Sequence, residues 1–229
     1  MPVLEISGLK KSFVAPDGET TPVLDILNFE MEAGTQVGLR GARGSGKTTF
    51  LHIIAGVLPP DEGRVIVAGN DVTACSEAER DRIRALHVGY VFQTFNLLQG
   101  YTALENVMLG MAFGKGADAD RAKSLLDRVG LAQRMDYRPR QLSVGQQQRV
   151  AVARALANQP DLVLADEPTG NLDRAHAADA LAILREVCRE NDAALLLVSH
   201  DRGILEQFET VHALDDLNRV VHAFGGGGE

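Results

Sequence analysis

Apolar positions along this chain follow two periodicities in turn, and their order predicts the architecture. Over 3–40 the pattern alternates, as in Leu4-Glu5-Ile6 and again over 23–32, which is the mark of half-buried strands. Pro16-Asp17-Gly18-Glu19 and Ala33-Gly34 punctuate these runs as turns, so the region reads as an antiparallel hairpin. Gln36-Val37-Gly38-Leu39 is a short strand, 49–54 a helix, Pro59-Pro60-Asp61-Glu62-Gly63 a turn and 64–69 a further strand. Ser76-Glu77-Ala78-Glu79 fits a capping box that opens a charged helix reaching 86, and 88–92 is strand again. Between 102 and 158 the spacing becomes helical, most clearly over 118–129 and 144–157. Two continuous apolar runs of strand length follow, over 162–165 and 195–198, as expected of strands covered on both faces of a parallel sheet. A helix over 174–190 between them makes a βαβ unit. The expectation is an α/β fold over 1–224: a mainly parallel sheet, an N-terminal antiparallel β region, a helical sub-domain inserted at about 94–158, and a flexible glycine-rich tail over 225–229.

Composition narrows the function classes. With 229 residues, 45% hydrophobic and 24% charged, the chain is long enough to bury a substantial core. Against 31 acidic side chains stand 23 basic ones, a net charge of −8, which argues against nucleic-acid binding and against adhesion to an anionic membrane. Cys75 and Cys188 show neither metal spacing nor a disulfide framework, so free thiols in a reducing, cytosolic setting are expected. The N-terminus lacks the basic and apolar regions of a secretory signal, and the apolar runs are far shorter than the roughly 20 residues that span a bilayer. Work at a membrane would need another chain to bring this one there.

The chemistry is concentrated in a few motifs. Gly41-Ala42-Arg43-Gly44-Ser45-Gly46-Lys47-Thr48 fills every fixed position of the G-x-x-x-x-G-K-[ST] phosphate-binding loop, between a strand and a helix as that loop requires. Glycines let backbone N–H groups wrap a phosphate, the helix N-terminus favours negative charge, Lys47 would reach the β/γ oxygens and Thr48 would ligate Mg²⁺, with Thr49 next in line. Asp166-Glu167 ends the apolar run over 162–165: a buried strand delivers an acidic pair suited to a metal (Asp166) and to a water nucleophile (Glu167). His52, His87, His176, His212 and His222 show no pairing at ligand spacing and read as surface or core histidines.

Leu142-Ser143-Val144-Gly145-Gln146-Gln147-Gln148-Arg149, taken with Asp166-Glu167-Pro168, Asn171-Leu172-Asp173 and Ser199-His200-Asp201, strongly resembles the nucleotide-binding subunit of an ATP-binding cassette (ABC) transporter over residues 3–216. The resemblance implies a P-loop NTPase core that binds and hydrolyses ATP with Mg²⁺. It makes Gln93 the glutamine that senses metal and γ-phosphate and faces the membrane partner. By the same resemblance Ser143 and Gly145 contact the γ-phosphate held by a second copy, Asp173 lies at the dimer seam, His200 is the switch histidine and Phe13 stacks on adenine. The family signature reads L-S-G-G-Q, and Val144 replaces its first glycine; with Gly145 retained, function is expected to survive although a branched side chain restricts φ/ψ.

Phe95-Asn96-Leu97-Leu98, with Tyr101 and Leu104, is apolar for a loop and is expected to form, near Gln93, a groove for a short helix of a transmembrane permease. Phe95-Asn96-Leu97-Leu98, Thr102-Ala103-Leu104-Glu105-Asn106-Val107 and Pro168-Thr169-Gly170-Asn171-Leu172-Asp173 look like the lipoprotein-release and macrolide-export branch. Its members pair a short ATPase with permeases that transmit force across the membrane. That implies a homodimeric ATPase, peripheral on the inner face of the cell membrane through its permease, with no direct insertion. A regulatory ATPase acting through a membrane partner in cell division remains the alternative. A soluble ABC ATPase of DNA repair or ribosomes would need long coiled coils or a second cassette, and a P-loop kinase would leave 142–149 without a purpose.

Overall fold

The computed structural model describes residues 1–220. The glycine-rich stretch over 225–229, the end of the expected domain at 224 and His222 lie outside the described residues.

The N-terminal alternation forms a hairpin. Strands β1 (Pro2–Val14) and β2 (Thr20–Glu32) pair antiparallel from Pro2↔Glu32 to Val14↔Thr20. Strand β4 (Glu62–Val67) adds to the other edge of β1, and the two-residue β5 (Asn70–Asp71) completes a sheet in the order β2-β1-β4-β5. The second sheet contains β3 (Gln36–Arg40), β6 (Val88–Val91), β7 (Leu162–Asp166), β8 (Ala194–Ser199) and β9 (Thr210–Ala213), in the order β6-β7-β8-β3-β9. All its pairings are parallel.

Every residue of β7 and β8 is buried, as their unbroken apolar runs predict. Side chains alternate between two cores. Leu162 and Leu164 face the cluster that holds Phe50, Leu51 and Ile54 of α1 (Lys47–Ile54) and the inner side of the antiparallel sheet. Val163 and Ala165 face the cluster built by α3 (Ala103–Met111), α4 (Ala119–Arg128), α5 (Val144–Ala155) and α6 (Arg174–Glu190). Because the strands run parallel, their carboxyl ends share one edge. There the chain leaves β3 into Gly41, β6 towards Gln93, β7 into Glu167 and β8 into His200. Open α/β sheets bind ligands at that edge.

The capping box at Ser76 opens α2 (Glu77–His87) as expected. The short α7 (Arg202–Leu205) and α8 (Leu214–Leu217), like β5 and β9, have no signal in the apolar pattern: β9 is half exposed and is held by its backbone pairing with β3.

One expectation fails here. Phe95 offers no surface to a partner, because it is buried with Leu97 in the helical core. The loop is folded under by two residues at positive φ, Phe95 and Asn96, whose carbonyls accept hydrogen bonds from the Arg154 guanidinium at 2.6 and 2.7 Å. The fully buried Asn106 closes it further, accepting from Leu98 N at 2.8 Å and donating to Thr102 O at 2.9 Å. Leu98 and Tyr101 remain exposed.

Candidate functional site

The phosphate loop is shaped by its glycines. Gly46 caps α1 at φ 93° and supplies no side-chain hydrogen bond, so the first amides of the helix are left for an external acceptor. Gly44 takes φ 82° and faces open space, where a side chain would intrude on anything cradled by the loop. Gly41 lets the chain fold tightly over Ser45 and Lys47. Lys47 is buried, and its Nζ donates to Gly41 O at 2.8 Å and Ala42 O at 2.7 Å, a position from which a phosphate can draw it. Arg43 stands exposed at the lip.

A pocket of 680 Å³ opens over this loop. It gathers Phe13, Arg43, Gly44, Gly46, Lys47, Thr48, Thr49, Gln93, Asp166, Glu167 and His200, residues drawn from five separate stretches of sequence. Phe13 reaches it from the β1–β2 hairpin, half exposed, with Val23 beside it. Gly41, Ala42 and Ser45 form the loop behind.

Glu167 is the most constrained residue of the site. It sits at φ 44°, a conformation that costs a non-glycine residue about 1 kcal/mol or more and that gathers at functional sites. Its Oε1 accepts from His200 N at 3.0 Å and pairs with His200 Nδ1 at 2.7 Å, while Oε2 accepts from Ser199 Oγ at 2.9 Å. Ser199 lies in the Ser199-His200-Asp201 stretch that carries the family resemblance, but the resemblance attaches no role to it. Gln93 is tied down in turn, its carbonyl accepting from Asn171 Nδ2 at 2.7 Å.

Burial pushes the Asp166 carboxyl above the usual carboxylate range; the Thr48 hydroxyl pulls it back, Glu167 adds to the push, and His52 and Lys47 oppose it. The folded protein therefore holds this proton to higher pH than the unfolded chain does. Asp166 favours folding at acid pH and opposes it once the pH rises through the folded value, so its penalty stands at neutral pH. Asp166→Asn is accordingly expected to raise the thermal midpoint of the ligand-free protein at about pH 7 and to gain less at about pH 4, by calorimetry. An equal gain at both would remove the linkage.

Among the described residues no group of three or more His, Cys, Asp or Glu side chains could hold a metal. Mg²⁺ needs only one or two carboxylates where phosphates supply the remaining oxygens. The Thr48 hydroxyl, the Gln93 amide and the desolvated Asp166 carboxylate, all on this pocket, fit that hard donor set.

Ser143 and Gly145 are not in this pocket. They line a separate recess of 220 Å³ between α5 and α6, with Arg149, His176 and Asp179. Ser143 caps α5: its Oγ accepts from Gln146 N at 3.2 Å, and Gln146 Oε1 accepts from Ser143 N at 3.0 Å. Val144 is the first helical residue and points to solvent, so its branched side chain restricts the backbone in a conformation a helix already requires. A Cβ on Gly145 would meet nothing within 4 Å, and Gly145 is not at positive φ. His176, read from sequence as a surface or core histidine, stands in the same recess; its i,i+3 spacing to Asp173 is the signal that could have found it.

The profile of the ABC transporter family matches residues 24–170. The lipoprotein-releasing system ATP-binding protein LolD 2 of Rhodospirillum rubrum is 44% identical over 209 residues, covering 89% of this chain and 90% of that protein. The macrolide export ATP-binding/permease protein MacB of Rhodopirellula baltica is 40% identical over 219 residues; the match covers 93% of this chain but only 32% of that longer protein. Among solved structures, the ATP-binding cassette MJ0796, seen as a dimer in a post-hydrolysis state with ADP and Pi, superimposes with a TM-score of 0.83 at 34% identity, over 92% of this chain and 93% of that one. With a phosphate loop, an acidic strand end and a glutamine on one pocket, and a signature helix apart from it, this chain belongs to the ABC transporter family, as an ATP-hydrolysing nucleotide-binding subunit with a P-loop α/β fold.

Proposed function

We propose that two copies of this chain close around two ATP molecules, each nucleotide resting on the phosphate loop of one copy and covered by Ser143 and Gly145 of the other, and that this closure drives an export-type or force-transmitting membrane permease. The observation that carries the reading is the separation of the two half-sites: pocket and recess share no lining residue. A glycine at 145 answers no need of its own chain, neither conformational nor steric, which fits close approach by another molecule. The dimeric cassette among the similar structures supports the same arrangement.

In this reading the backbone amides at 44–48 and Lys47 bind the phosphates, and Phe13 stacks on the adenine. Thr48, Asp166 and Gln93 would hold Mg²⁺, which would offset phosphate charge when bound. Glu167 takes the proton of the attacking water. Its carboxylate is pinned at both oxygens by Ser199 and His200, so orientation is fixed before substrate arrives, and His200, largely exposed, reaches towards the γ-phosphate. The helical sub-domain at about 94–158 belongs to one cassette over 1–224: its core runs without a break into the sheet through Val91, Val163 and Ala165.

The permease docks in an open groove of 820 Å³ where α2 and β6 meet α3 and α5. This replaces a groove built on Phe95; Phe113, 81% exposed, stands at it with Leu109 and Tyr90. The reading places the chain at the inner face of the membrane through its partner; no helix among the described residues is long and apolar enough to cross a membrane. A relative whose name joins an ATP-binding part to a permease supports this. The full chain captured from detergent-solubilised membranes is expected to bring a permease with it, and Phe113→Asp to release that permease while nucleotide binding persists. Undiminished capture by Phe113→Asp would move the docking surface elsewhere.

A further inference from the structure

We infer that His176 is a further phosphate-facing group of the recess that Ser143 and Gly145 present to the nucleotide of a second copy, adding a protonatable donor beside them. The inference rests on the composite-site reading above and extends it to a residue outside the signature.

Asp173 holds His176 twice. As N-cap of α6 its Oδ1 accepts from His176 N at 3.1 Å, and its Oδ2 pairs with the ring Nδ1 at 2.7 Å. Orienting an exposed ring in this way costs rotamer entropy that no burial repays, since the side chain is 66% exposed. With Nδ1 engaged by a carboxylate, Nε2 is the nitrogen left for another partner; it is an acceptor in the neutral ring and a donor in the cation. Ser143 Oγ already accepts from Gln146 N, so the hydroxyl proton is available to an acceptor in the same recess.

Charge points the same way. The other ionisable groups at the recess are Asp179 of α6 and Arg149 of α5, with Asp173 behind the ring. Arg149 Nη1 is directed to Val129 O at 3.2 Å. Among the described residues, a terminal phosphate arriving at this recess meets the Asp179 carboxylate and the Arg149 guanidinium, and a cationic His176 would add positive charge beside Ser143.

The test uses the full chain carrying Glu167→Gln, so that ATP is retained, and reads dimerisation by sedimentation. Adding His176→Ala is expected to weaken ATP-driven dimerisation by about a hundredfold, about tenfold for each of the two equivalent sites, the scale of one charged hydrogen bond apiece. Binding of a fluorescent ATP analogue by the dilute monomer is expected to stay unchanged. His176→Arg, a permanent cation, is expected to keep dimerisation. Parent-like dimerisation of His176→Ala overturns the inference and leaves the composite site standing. A Glu167→Gln chain that stays monomeric with ATP overturns the composite site, and this inference with it.

Discussion

Glu167→Gln is expected to bind ATP with the affinity of the parent, to lose about 10²–10³-fold in turnover, and to accumulate as an ATP-bound dimer. The substitution is nearly isosteric. The amide oxygen still accepts from His200 N, as Oε1 does at 3.0 Å, and the amide nitrogen can face the Ser199 hydroxyl, which turns to accept. Little stability is therefore lost, and what disappears is the capacity to take a proton. Steady-state phosphate release with size-exclusion chromatography in ATP and in ADP separates the outcomes. Turnover within about threefold of the parent would take Glu167 out of the reaction and leave its positive φ without a functional reason.

Gly145→Asp is the second large effect, and it divides fold from function more sharply. The residue lies in the first turn of α5, where an added Cβ touches nothing and an acidic side chain is favoured by the helix dipole. Replacing glycine within a helix also removes a backbone entropy cost of up to about 1 kcal/mol. The variant is expected to match or exceed the thermal stability of the parent and to bind ATP, while turnover falls by at least about 10²-fold, because the new carboxylate meets the phosphate of the second copy. Mixing it with Lys47→Ala, itself inactive, provides the complement. In a mixed dimer one composite site takes its loop from the Gly145→Asp copy and its signature from the other, so up to about a quarter of parental activity returns at equal mixing if C2 dimers form at random. No recovery on mixing would place both half-sites within one chain.

How far the sequence reached depended on how local the determining interactions are. β7 and β8 were legible because burial on both faces demands an unbroken apolar run, and the hairpin because alternation and turn residues sit in the same segment. The phosphate loop, Asp166, Glu167 and Gln93 were legible as motifs and the fold joins them in one pocket. Phe95 was misjudged because its burial is imposed from a distance: Arg154, on a helix far along the chain, holds the carbonyls that turn the loop inward. β9 went unseen because it is specified by backbone pairing to β3 rather than by its own side chains. His176 and Ser199 gain meaning only from what stands opposite them, Ser143 and Gly145 for one and Glu167 for the other.

In the composite site proposed above, the separation of loop pocket and signature recess also sets the kinetic order. On that proposal a dilute copy would hold only half of any site, so ATP consumption by free chains would rise with the square of their concentration and be slight when they are scarce. Two copies docked side by side on a permease share a high effective concentration, and the same chemistry becomes first order in the assembled complex. On the same proposal surplus subunits would be quiet without an inhibitor, and ATP consumption would be confined to the places where there is a permease to move.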